Sequence, residues 1–227
     1  MIMKKLLAVL AALSLATPAI ADPEIRRWNT HHSMGCMLLR ECVEGTDKVK
    51  SVDDLSRLMD MEFSESQRDE LNDIFGSLSD LGVEFFVADE KYFVSRTRGI
   101  YSTESNKFFI NPTYLPDAES VLRVIRHEGW HTAQDCMAGS LQNTHIAVIW
   151  NDGVVPHSYQ LRADILYGGG PAVPWEKEAM WAMETEYMTA NALRACAAPE
   201  AMWDVYTPTP MTGEWLVDNG YWDGATR

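Results

Sequence analysis

The stretch "RHEGWHTAQDC", Arg126 to Cys136, decides how the rest of the chain is read. Four residues of α-helix turn through about 400°. His127 and His131 therefore project from one face a turn apart, where two imidazole nitrogens can reach one ion. Glu128, rotated about 100° from His127, can reach a water held by that ion. The flanks support a helix from Asp117 to Met137: Asp117 as N-cap, Glu119 in the first turn, Val121, Leu122, Val124 and Ile125 as an apolar stripe, and Gly139 as the stop. Zinc brings a bound water towards neutrality, and a carboxylate beside it takes the proton and later delivers it to a leaving amine. The motif thus points to hydrolysis of an amide bond.

A catalytic zinc needs a third protein ligand and an open position. A Gly and a third His after the motif would complete a metzincin set, but Gln134 and Met137 occupy those places. The segment "WEKEAMWAMETEY" offers Glu176, Glu178, Glu184 and Glu186 on one expected helix, and Asp152 and Asp164 are loop alternatives. Between Glu176 and Glu178, the residue pattern alone leaves the choice open.

A His-Glu-x-x-His helix, followed by a second helix bearing a Glu with a small residue three positions on, resembles the gluzincin class of zinc metallopeptidases. The match is Glu176 with Ala179, 176 − 131 = 45 residues after the second histidine. Asp135, Ala138 and Gly139 are similar to the thermolysin-like version of the motif helix. Trp175 and Met180 depart from it, standing where that version has an Asn and an Asp. The resemblance covers roughly 99–195 and implies His127, His131 and Glu176 as zinc ligands, Glu128 as general base, and an edge strand that binds substrate peptide by extending the sheet. An oxyanion donor is expected among His157, Tyr159 and Tyr167, in the loops leading to the third ligand.

Upstream, Ser51 caps a short helix with Leu55, Leu58 and Met59 on its apolar face. Ser64 and Gln67 form a capping box for a second helix, which ends near Gly82. The segments 83–88, 91–95, 99–102 and 107–111 are rich in aromatic and β-branched residues. Their connections are too short for crossover helices, so a small antiparallel sheet is expected. After the motif helix come an apolar run at 145–150, a loop, the glycine-rich "YGGGPAVP" and a helix from Trp175 to about Ala195. The tail from Thr207 is rich in Pro, Gly and Trp and has no periodicity. The expected fold is α+β and zincin-like: residues 22–206 form one domain with a helical part at 22–82 and a core at 83–196, and 207–227 form a tail.

The first 21 residues read as a secretory signal: Lys4 and Lys5, an apolar run from Leu6 to Ala16, and Ala19-Ile20-Ala21 as a cleavage site. Export to a periplasm or beyond is the expectation. Against 33 acidic residues the chain has 19 basic ones, a net charge of −14. Such a surface repels phosphate backbones and anionic lipid, which disfavours nucleic-acid and membrane partners. His31-His32 reads as a solvated pair.

Four cysteines in an exported chain imply two disulfides. If "CMLLREC" is helical, Cys36 and Cys42 lie on different faces, so the expected bonds tie the N-terminal segment to Cys136 and Cys196. The chemistry read here is a zinc metallopeptidase acting on peptide or protein. Two rivals stand beside it: an inactive binding protein that keeps the scaffold, and a zinc hydrolase of a non-protein amide polymer.

Overall fold

The computed structural model describes residues 33–94, 96–142, 144–150, 153–198 and 211–222. The expected leader, His31-His32 and Asp152 lie outside them. Within the described residues the chain is α+β, with a mixed four-stranded sheet and helices packed mainly on one face.

The strands are β1 (Thr46–Val49), β2 (Glu84–Ala88), β3 (Gly99–Ser102) and β4 (Lys107–Ile110), in the spatial order β1-β2-β4-β3. β1 and β3 pair antiparallel with their neighbours, but β2 and β4 are parallel, with Phe85 beside Phe108 and Phe86 beside Phe109. The sheet is therefore mixed, which corrects the small antiparallel sheet expected from sequence. No helix is needed for the crossover: residues 89–98 and β3 itself form the connection, and β4 turns back into the slot beside β2. The expected strand at 91–95 is instead a 3₁₀ turn at Glu90–Tyr92, with Tyr92 and Phe93 buried under the sheet. Its place beside β2 is taken by β1, whose polar "TDKV" carries no strand signal.

Alternate residues face opposite layers. Phe85, Val87, Phe108 and Ile110 pack with the helices in the main core. Phe86, Ala88 and Phe109 meet Met37, Tyr92 and Phe93 in a smaller one. The Cys36–Cys42 disulfide lies over this second layer, against the expected pairing. Helical geometry ends at residue 38 and Arg40 turns left-handed (φ 61°), so the chain doubles back and Cys42 N–H reaches the Cys36 carbonyl at 3.1 Å. Cys136 pairs with Cys196. Both bonds suit an oxidising environment. No helix among the described residues is long and apolar enough to cross a membrane.

Helices α1 (Val52–Met59) and α2 (Glu65–Asp80) have the expected caps, including the reciprocal Ser64–Gln67 box. α3 (Ala118–Cys136) is capped by Asp117 and carries the histidines. Next come α4 (His157–Tyr167), α5 (Val173–Glu184) and α6 (Met188–Ala197). The single helix expected from Trp175 is broken at Thr185–Tyr187, where Tyr187 takes a left-handed conformation (φ 58°) and its N–H is taken by Glu70. α7 (Met211–Asp218) lies within the stretch read as the C-terminal tail. Leu216 and Trp222 are buried in the main core, and Gly213 lies so close to the Trp150 ring that a Cβ would stand 2.5 Å from it.

Candidate metal centre

α3 is buried along most of its length, and two close approaches set its position. At Gly129 a Cβ would stand 2.8 Å from the Thr189 methyl of α6, whose hydroxyl donates to the Arg126 carbonyl. At Gly99 a Cβ would stand 2.6 Å from Val124 and 2.8 Å from Glu128. Glycine at both positions lets α6 and the edge strand β3 lie directly on the motif helix. The residue before His127 is anchored too: Arg126 donates through Nε and Nη2 to both oxygens of the buried Glu70 on α2 (2.9 and 2.6 Å).

Across from α3, the first turn of α5 places Glu176 over both histidines. Its Oε2 is 3.3 Å from His127 Nε2, and its Oε1 is 3.6 Å from His131 Nε2. One ligand atom from each of the three side chains falls within 4.8 Å of the others, and all three residues are partly buried. Glu176 Oε2 is buried and has no hydrogen-bond partner. An orphaned carboxylate oxygen facing two imidazole nitrogens is costly without a cation, and N₂O donors suit a first-row divalent ion. The group fits a metal.

Burial, then the neighbouring His127, holds His131 down to about 4, so its imidazole is neutral near pH 7. Burial opposes charge on His127, but Glu176 and Glu128 outweigh it and raise its pKa. Burial also opposes charge on Glu176; the two histidines and the Tyr167 hydroxyl prevail and lower it. Each ring is held by its surroundings: His127 hydrogen-bonds the Ala179 carbonyl, and His131 Nδ1 lies 2.8 Å from Gln134 Oε1. The small residue three positions after Glu176 thus offers its carbonyl to the opposite ligand as well as allowing close packing.

Glu128 accepts the Tyr101 backbone N–H at 3.0 Å, and burial and Glu176 push its pKa up to about 7. The Tyr101 hydroxyl donates to Asp135 at 2.7 Å. Glu128 and Asp135 are seven residues apart on one helix face, so one residue of β3 grips α3 at two points.

The other candidates separate clearly. Glu178 does not join the group. It is fully buried and accepts four N–H donors: Trp130 Nε1, Gln134 Nε2, Ile149 N and Trp150 N. Asp164 is exposed on α4 and lies outside the group. Of the three expected oxyanion donors, Tyr167 hydrogen-bonds Glu176, His157 is exposed at the start of α4, and Tyr159 packs against the main core. Tyr101 and Gln134 were not singled out for these roles from sequence. Gln134, three positions after His131 and so on its face, had a readable signal; the Tyr101 backbone N–H had none.

Comparison with protein-family models, with curated proteins and with solved structures finds no match for this chain.

Proposed function

We propose that the chain is a zinc-dependent peptidase of gluzincin-like design, with His127, His131 and Glu176 as ligands and Glu128 as general base. The observation that carries this reading is the convergence of three ligand side chains, one with an orphaned buried oxygen, beside a glutamate raised to about 7. Zinc held there supplies Lewis acidity, lowering the pKa of a coordinated water and polarising a substrate carbonyl.

The protein's own residues do the rest. Glu128, aimed by the Tyr101 N–H, takes the proton of the attacking water and passes it to the departing amine; a pKa near 7 suits both transfers. β3 is an edge strand, and the Tyr101 N–H points away from β4. By antiparallel alternation, Gly99 also turns its N–H and C=O to the open side, where an extended peptide can add to the sheet. The Tyr167 hydroxyl, which reaches Glu176, is the candidate to donate to the developing oxyanion.

The test joins metal content to cleavage. Protein purified from an oxidising compartment is weighed for zinc by mass spectrometry and assayed on an unfolded protein, beside Glu128→Gln and Glu176→Ala. One zinc in wild type and Glu128→Gln, cleavage in wild type alone, and metal lost from Glu176→Ala are expected. Cleavage surviving in Glu128→Gln removes the proposed base, and a wild type without zinc removes the centre.

A further inference from the structure

Glu178 is a buried carboxylate with no part in the chemistry above, yet it lies two residues from a ligand and binds the helix that carries the other two. Its strongest partner on that helix is Gln134. Both amide hydrogens of Gln134 have acceptors: Glu178 Oε2 at 2.7 Å and the Trp175 carbonyl at 3.3 Å. Three further N–H donors, from Trp130, Ile149 and Trp150, hold Glu178 as an acceptor, and a carbonyl only accepts, so the NH₂ end of Gln134 faces α5. Its oxygen is left facing His131 Nδ1 at 2.8 Å. An amide oxygen also only accepts, so Nδ1 must carry the hydrogen.

We propose that Glu178, acting through the Gln134 amide, is a positioning residue that locks His131 in the Nδ1–H tautomer and leaves the Nε2 lone pair facing Glu176. The inference rests on the metal-site reading for its purpose, but the tautomer itself exists without a metal. It answers a departure noted in the sequence. Trp175 and Met180 stand where the thermolysin-like pattern has polar residues, and the imidazoles are held instead by the Ala179 carbonyl and the Gln134–Glu178 chain.

The same carboxylate fixes more than the ring. Ile149 and Trp150 give it their backbone N–H groups, at 3.1 and 2.5 Å. Residue 149 in turn accepts the Gly213 N–H of α7 at 3.1 Å. One side chain therefore ties the orientation of a ligand to the docking of the 145–150 segment and the C-terminal helix. Partners of this kind affect metal affinity by about 10- to 100-fold.

The test uses ¹⁵N-labelled, metal-free full-length protein at a pH where imidazole is neutral. Long-range ¹H–¹⁵N NMR reads the His131 tautomer, with peaks assigned through His131→Gln, and zinc is then titrated against a competing chelator. Wild type is expected to show Nδ1–H. Gln134→Met, similar in shape but unable to hydrogen-bond, is expected to show mixed tautomers and zinc binding weaker by about 10- to 100-fold. Trp130→Phe removes a different donor from Glu178 and should leave tautomer and affinity unchanged, which separates positioning from general loosening of the core. A wild-type Nε2–H tautomer, or a Gln134→Met protein with unaltered tautomer and affinity, overturns the inference. A wild type with the Nδ1–H tautomer that takes up no zinc sustains the lock and sinks the metal reading instead.

Discussion

Glu176 and Glu178 are two residues apart on one helix, and they live in opposite circumstances. Glu178 receives four N–H donors and is fully buried. Glu176 is partly buried, has an oxygen with no hydrogen-bond partner and faces two imidazoles. A saturated buried carboxylate is architecture, because removing it strands every donor around it. An unsaturated one beside two imidazoles is placed where it could hold a cation.

The largest effect should come from Glu178→Ala, which orphans two backbone N–H groups, an indole N–H and an amide. At about 1 kcal/mol or more for each stranded donor, the loss should be at least about 4 kcal/mol in urea unfolding. Glu176→Ala, in metal-free protein, should cost less than about 1 kcal/mol. Equal costs for the two would erase the contrast.

Next is the cross-link that ties the end of the histidine helix α3 to α6. Opening Cys136–Cys196, which closes a separation of 60 residues, should cost about 4 kcal/mol. Opening Cys36–Cys42, with a separation of 6, should cost about 2 kcal/mol. Paired Cys→Ser variants, melted beside wild type, would show whether the order is reversed.

Zinc sharpens the comparison from the other side. At 100 times its Kd it should stabilise wild type by about 2.7 kcal/mol. Glu176→Ala should show almost none of that gain in thermal melts with and without the metal. Gly129→Ala drives a methyl against Thr189 and should cost about 1–3 kcal/mol without touching a ligand. If it loses zinc but no stability, the packing account of α3 and α6 is wrong.

A separate effect concerns pH. Burial raises Asp135 from its ordinary value of 3.8 to about 7, and its Oδ1 has no partner. The folded protein therefore holds this proton more tightly than the unfolded chain. Its contribution is present below about pH 4 and is lost as pH rises towards 7. Asp135→Asn keeps an acceptor for Tyr101 and should flatten that part of the metal-free stability profile; an unchanged slope would assign it to other groups.

Much of this contrast was out of reach of pattern reading. Glu176 and Glu178 have the same chemistry and comparable positions on a helix, and a small residue at 179 favours one only through resemblance. What separates them is who donates to each, and the donors at Glu178 come from residues 130, 134, 149 and 150. The helix α4 was hidden for another reason. Leu161, Ile165 and Leu166 are more than half exposed, so α4 has no buried apolar face and no helical period to detect. β1 was hidden likewise, since an edge strand reading "TDKV" shows no alternation of apolar residues.

By itself, the sequence determined what depends on neighbours within a turn or two. The caps at Ser51, Ser64 and Asp117, the acidic first turns and the presentation of His127 and His131 on one face all follow from local backbone geometry. The tertiary structure decided everything that depends on closing long loops: the parallel pairing of β2 with β4, the local Cys36–Cys42 bond, the insertion of α7 and the choice of Glu176 over Glu178. For the two glutamates, what is decided is which one lies against the histidines; all these outcomes are selected by which buried donors and acceptors find partners across the fold, and that accounting exists only once the whole chain is packed.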